Sequence, residues 1–144
     1  MDQAQHQIIL ADYGEVPQFN AANYKILSFG LKNEDTLAHT MLNFCLNENV
    51  EAILPLHSFE ITALAKASVL FNEFNIEVLL PPTALISAYF TNNKNNNWAA
   101  FMAGSLIFST QQHQSIITEG IKCNLSGVYY FSNSHNPQLS LIAI

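Results

Sequence analysis

Apolar residues in the first third of the chain fall into short blocks, and each block predicts one element. The runs at residues 7–11 and 24–29 contain Ile and Leu and are bounded by turn-forming residues, so each predicts a strand. From residue 34 to residue 47, apolar side chains recur every three or four positions, which predicts a helix with Asn33 as its cap. The chain is therefore expected to open with two strands and a helix.

Two uninterrupted apolar runs in the middle of the chain are typical of buried parallel strands. They cover residues 50–56 and 76–80, and prolines bound them. Between them, Ser58 is predicted to cap a helix with a broad apolar face. A short helix is expected over residues 83–90. This alternation of strand and helix favours a layered α/β arrangement.

The last third of the chain begins with an asparagine-rich loop at residues 91–97. Small residues mixed with aromatic residues over 98–110 predict a helix that is apolar all round and buried. Apolar runs at 128–131 and 139–144 flank turn-forming residues and predict a closing hairpin. Together the elements predict an α/β fold, a layered mixed sheet with helices packed on it, in a single domain over residues 1–144.

Composition supports one folded domain and excludes nucleic acid as a partner. The 144 residues are 49% hydrophobic, 11% charged and carry a formal net charge of −6, and their mean hydropathy is +0.14. All five basic residues are lysines, so the guanidinium group that recognises phosphate and guanine is missing. The low charge suggests a surface that another chain covers, although biased composition explains it equally well.

Localisation and cofactor chemistry can also be predicted from the residues. The N-terminus lacks the basic segment and apolar run of a signal peptide, and no stretch is long enough to span a membrane. Cys45 and Cys123 lie far apart in apolar patterns, which predicts buried thiols in a reducing cytoplasm. The five glycines do not cluster and the five histidines lack paired ligands, so we expect no nucleotide, other cofactor or metal.

His57 is the polar residue with the clearest functional placement. It directly follows the predicted strand at 50–56 and precedes the Ser58-capped helix. This position is the carboxyl end of a predicted central strand, where α/β sheets place ligand contacts. The alternative is a histidine held by hydrogen bonds in a loop without any ligand.

Two segments together resemble the C-terminal half of a ketoacyl synthase of the thiolase superfamily. Residues 50–57 end in His57 and precede a helix and a strand, and residues 95–100 open the predicted small-residue helix. The resemblance implies that His57 polarises a thioester carbonyl. It also implies that one asparagine supplies the second donor of the oxyanion site, either Asn97 or, alternatively, Asn95 or Asn96.

This resemblance implies a half-length protein, because the half that bears the cysteine nucleophile is missing. Its expected role is non-catalytic or partner-dependent, in fatty-acid or polyketide-type biosynthesis. Whether it is an enzyme stays open, and any activity would be acyl transfer with a partner. The implied partners are a second copy, a larger synthase and acyl carrier protein. The predicted apolar helix at 98–108 would need such a partner to cover it.

A competing resemblance covers residues 50–95. The segments at 53–56, 64–66, 70–71 and 76–79 and the pair Asn93-Lys94 are similar to the small domain that precedes the ATP-grasp fold in carboxylate–amine ligases. It implies a Rossmann-like domain with an accessory or binding role, again without its catalytic partner.

Overall fold

The computed structural model describes residues 7–144 and has a mixed α/β fold. The prediction of an α/β class is therefore confirmed at this level, whereas the first six residues lie outside the described part. The chain divides into two compact units, one ending at Glu48 and the other beginning at Asn49. A single domain over the whole chain stays a prediction, and each unit is described by itself.

The first unit contains two parallel strands and a helix, close to the predicted positions. Strands β1 (Ile8–Asp12) and β2 (Tyr24–Ser28) pair in parallel. A 3-10 turn (Glu34–Thr36) leads into helix α1 (Leu37–Asn47), and Asn33 Oδ1 caps the turn by accepting from Asp35 N at 3.1 Å. The core side of α1 is formed by buried residues at helical spacing, namely Leu37, Met41, Leu42 and Cys45.

The second unit begins with a strand, a helix and a parallel strand. Strand β3 (Ala52–Ile53), helix α2 (Ser58–Glu73) and strand β4 (Glu77–Val78) form this βαβ arrangement. Both strands are shorter than the predicted runs at 50–56 and 76–80. Pro55 lacks an N–H group, so it cannot continue the β3 ladder toward residue 56.

The rest of the second unit contains short helical turns, one further helix and an antiparallel sheet. A 3-10 turn (Thr83–Leu85) and α3 (Ile86–Tyr89) follow β4, as predicted for residues 83–90. Strands β5 (Asn97–Met102), β6 (Ser105–Ser109), β7 (Gly127–Phe131) and β8 (Ser140–Leu141) form the sheet in the order β6-β5-β7-β8. Helix α4 (Gln114–Lys122) lies between β6 and β7 in the chain.

The predicted buried helix over residues 98–110 is wrong, because this segment is the β5–β6 hairpin. Ala103 and Gly104 form its two-residue turn with φ values of 49° and 86°, the left-handed backbone that tight hairpins use. Along β5, buried Ala99 and Phe101 alternate with more exposed neighbours, which is a strand period. A mixture of small and aromatic residues is compatible with a buried helix and with a strand.

Two further differences concern the end of the chain. Helix α4 was not predicted, although Ile116 and Gly120 on it are buried against the sheet. The final strand is only β8 instead of the predicted run over 139–144, but its antiparallel pairing with β7 confirms the closing hairpin. Across residues 7–144, no helix is both long enough and apolar enough to cross a membrane.

Candidate functional site

His57 forms the N-cap of α2, one residue before the predicted cap Ser58. Its backbone N–H donates to Glu60 Oε1 at 3.0 Å, and the N–H of Leu56 donates to the same oxygen at 3.3 Å. Glu60 is 6% exposed and sits three residues after the cap, so it closes a capping box at the positive end of the helix dipole. The cap is shifted because the acid at position 60 fits His57 as its partner.

The His57 ring is half-buried and stacks on Phe59, with ring centroids 5.2 Å apart and planes 12° from parallel. The carbonyl of the preceding Leu56 accepts from the N–H of Ile144 at 2.7 Å. These contacts hold the loop between β3 and α2 in one conformation. These contacts are compatible with two roles for His57. It could only organise the start of α2, or it could also present its ring to a ligand.

The three candidate asparagines have different local roles. Asn97 begins β5, pairs with Phe131 and accepts from Thr110 Oγ1 at 3.2 Å through its Oδ1. Asn95 and Asn96 are exposed, and Asn95 Oδ1 accepts from Asn96 N at 2.9 Å. Because β5 replaces the predicted helix, Asn97 does not precede a helix as the synthase resemblance requires.

Asn95 lines a polar cleft of about 470 Å³ at one end of the antiparallel sheet. Four amide side chains, two serine hydroxyls, one lysine and one aromatic ring form its wall. These residues are Asn93, Lys94, Asn95, Phe131, Ser132, Ser134, Asn136 and Gln138. Among the described residues, His57, Asn96 and Asn97 are not part of this wall, so the structure does not gather the predicted site residues into one cleft.

We call this cleft, lined by residues 93–95, 131–132, 134, 136 and 138, the amide cleft, and one buried serine and one loop contact fix its two sides. Ser140 is 2% exposed, and its Oγ accepts from Thr91 Oγ1 at 2.8 Å and from the N–H of Asn93 at 3.1 Å. On the opposite side, His113 Nε2 lies 3.0 Å from the carbonyl oxygen of Ser134. The amide cleft therefore combines anchored backbone with exposed amides, hydroxyls and the single charge of Lys94.

A second group of polar residues lies inside the same unit, beside α4. Burial raises the pKa of Glu119, and the Tyr89 hydroxyl and the Lys122 charge offset part of that rise. Glu119 Oε2 is buried and has no hydrogen-bond partner. Burial also raises the pKa of Tyr89, with further contributions from Cys123 and Glu119. Sequence reasoning missed this group because α4 was not predicted.

The two cysteines differ from each other. Cys45 is 1% exposed, and burial raises the pKa of its thiol to about 11, so it is protonated at neutral pH. The prediction of a buried thiol is confirmed for Cys45. It is wrong for Cys123, which is half-buried at the C-cap of α4, because the apolar pattern around it belongs to a helix with an exposed side.

The described residues include no group of three or more His, Cys, Asp or Glu side chains that could hold a metal ion. No protein-family model matches the chain, and no curated protein or solved structure matches it either. The function must therefore be argued from the residues and from the geometry of the two units.

Proposed function

We propose that the chain is an accessory or binding domain, similar to the domain that precedes the ATP-grasp fold, and that it works with a catalytic partner. The observation that carries this proposal is the parallel pair of β3 and β4 joined through α2. A parallel pair with a helical crossover is the building unit of Rossmann-like folds. It lies within residues 50–95, where the sequence is similar to that domain.

A half-length synthase is the second candidate, and one observation favours it. His57 follows β3 after the three residues 54–56 and stands at the start of helix α2, the order that this resemblance implies. The β5–β6 hairpin occupies the place of the alanine-rich helix, so the geometry favours the first proposal. In the synthase proposal, acyl carrier protein would present the thioester and a larger synthase or a second copy would complete the site.

The variant His57→Ser separates the two candidates. Serine is a good N-cap residue, so this change removes the imidazole while keeping a hydrogen-bond acceptor at the start of α2. In a synthase-type protein, the variant should lose acyl-thioester binding or turnover without a change in Tm. In an accessory domain, wild type and variant should behave alike with acyl thioesters, and a loss confined to the variant would reject the first proposal.

The amide cleft indicates what an accessory domain of this kind would bind. Lys94 supplies one positive charge, and the surrounding amides and hydroxyls can both donate and accept hydrogen bonds. A carboxylate next to Lys94 would form a charge-assisted hydrogen bond, and further polar groups on the ligand would bond to the amides. The matching ligand class is a small carboxylate with additional amide, amine or hydroxyl groups.

Titration with amino acids and small hydroxy acids, followed by backbone amide NMR shifts, tests this assignment. Wild type should show saturable shifts at residues 93–95 and 132–138, and Lys94→Gln should weaken binding about tenfold, as expected for losing one charge-assisted contact. Lys66→Gln is the matched control, since Lys66 is an exposed lysine on α2 in the same unit. The amide cleft is not the binding site if the ligands cause no chemical-shift changes in wild type, or if Lys94→Gln and Lys66→Gln bind them equally well.

A further inference from the structure

The antiparallel sheet has one buried face and one apolar face that is partly exposed. Along β5, Ala99 and Phe101 are 0% and 1% exposed and point toward the core. Alternate positions, together with the residues paired to them, form the opposite side, which we call the outer face. Its apolar residues are Trp98, Ala100 and Met102 from β5, Phe108 from β6, and Val128 and Tyr130 from β7. Ser105 and the buried Ser140 pair with Met102 and Tyr130 on the same side.

The largest side chains of the outer face are accessible. Trp98 is 38% exposed, Met102 is 37% exposed and Phe108 is 51% exposed. The rings of Trp98 and Phe108 lie 4.8 Å apart, so they form one continuous aromatic surface. Ile107, the extra residue of the bulge in β6, is 59% exposed and extends the apolar surface toward the sheet edge. A contiguous apolar patch of this kind marks an interaction site.

Charge is distributed so that the outer face is neutral. Strands β5, β6, β7 and β8 contain no Asp, Glu, Lys or Arg. From residue 95 onward the only charged residues are Glu119 and Lys122, which cancel. Residues 1–94 contain ten acidic residues and four lysines, so they carry the whole formal charge of −6. Two copies of this chain repel each other through their net charge, and this repulsion is weakest when uncharged surfaces meet.

We infer that the outer face is the contact surface of a homodimer in which two sheets pack face to face. A strongly basic partner would be matched by the acidic residues 1–94 and not by this neutral face. A second copy offers a surface of the same apolar character, and a two-fold axis brings the aromatic residues of both copies together. Sheets packed in this way lie about 10 Å apart, so side chains of this size interdigitate.

Trp98 is the only tryptophan in the chain, which makes its fluorescence a direct report on this face. In the dimer its emission should lie at shorter wavelength and be shielded from iodide. Dilution should shift the emission to longer wavelength in step with the loss of the dimer in sedimentation velocity. A monomer at micromolar concentration would overturn the inference, and so would a dimer whose dissociation leaves Trp98 emission and quenching unchanged.

Phe108→Lys tests the contact surface itself. A charge within an apolar contact should raise the dissociation constant of the dimer at least about tenfold. Phe108→Ser is the milder variant if lysine reduces folding, which circular dichroism will show. Val69→Lys is the control, since Val69 is 70% exposed on α2 and lies outside the sheet. Equal dissociation constants for the Phe108 and Val69 variants would place the contact elsewhere and contradict the inference.

Discussion

Glu119 is an ionisable residue whose carboxyl group is partly buried. Its Oε2 is buried without a hydrogen-bond partner, and burial raises its pKa above the ordinary value of 4.5. A carboxyl of this kind is more stable protonated in the folded state than in the unfolded state. Its stabilising contribution is therefore complete below pH 4.5 and is lost as the pH rises through the folded pKa.

The variant Glu119→Gln should remove this pH dependence, because the amide has nearly the shape of the protonated acid and does not ionise. At neutral pH we expect the variant to be more stable than wild type by about 1 kcal/mol, because the neutral amide avoids the cost of keeping a charge in a partly buried site. Below pH 4.5 the two proteins should converge. Urea unfolding at a series of pH values measures the difference.

Glu73→Gln is the control for this comparison. Glu73 is exposed at the end of α2, so its replacement removes a charge from the same unit without removing a buried acid. At neutral pH the stability difference between this variant and wild type should be smaller than that of Glu119→Gln. A Glu119→Gln difference that is constant from acid to neutral pH would contradict the assignment of a raised pKa to Glu119.

Individual residues also show how far local sequence rules reach. Asn33 was predicted as a cap and caps its turn, because the side-chain preference acts over two residues. The cap of α2 was misplaced by one residue, because the choice between His57 and Ser58 depends on which residue lies three positions before Glu60. The buried position of Glu119 depends on packing between distant segments, which local patterns do not describe.

Helices and strands were predicted correctly where the apolar positions fit one period, and wrongly where they fit both the helical and the alternating period. Helices α1 and α2 have repeating apolar positions over several turns and were predicted correctly. The segment 98–110 has short side chains and aromatic residues in both a helical and an alternating order. Only pairing with β7, which is distant in the chain, selects the strand.

The consequence for the candidate site is direct. The synthase resemblance implies a role for these asparagines because they precede an expected helix, and the β5–β6 hairpin takes the place of that helix. Asn95 nevertheless lies in the amide cleft, whose other wall comes from residues 131–138. Sequence spacing could identify an asparagine-rich loop, but it could not identify a cleft that two distant loops form together.

Packing between α4 and β5 makes a sharp prediction for Gly120. A Cβ atom at this position would lie 2.6 Å from Phe101 Cδ1 and still closer to Cε1 of the same ring. In an open helix, alanine would be preferred by about 1 kcal/mol. Here the overlap with a ring that is 1% exposed should dominate, so Gly120→Ala should destabilise the protein by about 1–3 kcal/mol.

Two comparisons isolate the overlap as the cause. Thr118→Ala changes an exposed position of α4 and should leave the free energy of unfolding within about 0.5 kcal/mol of wild type. In a Phe101→Leu background, the smaller side chain leaves room for the added methyl group, so Gly120→Ala should cost less there than in wild type. Equal costs in both backgrounds would show that the ring is not responsible.

For the molecule as a whole, the absence of charged residues from strands β5 to β8 connects composition with assembly. The low charge suggested from sequence that part of the surface is covered, and the predicted location was a helix at 98–108. The structure has no such helix, yet the same segment carries Trp98 and Phe108 on the outer face. The secondary structure predicted for this segment is wrong, and its coverage by another chain stays a prediction.

The same distribution predicts how the proposed dimer responds to salt. Each copy carries −6, so association brings two acidic molecules together while the contact itself contains no ion pair. Sodium chloride screens the repulsion over about 10 Å at 0.1 M and leaves the apolar contact intact. The dissociation constant should therefore fall roughly two- to tenfold between low and physiological ionic strength. A dimer held by ion pairs would weaken instead.

Lowering the pH toward the isoelectric point of about 5.1 should strengthen the dimer in the same way, because it removes the net charge without adding salt. Trp98 emission measured during both titrations reports whether the outer face is the surface that closes. Under the same conditions, Phe108→Lys should stay monomeric, since screening removes repulsion at long range but does not restore the apolar contact. A dimer that weakens with added salt, or tightens without protecting Trp98 from iodide, contradicts a neutral contact at this sheet.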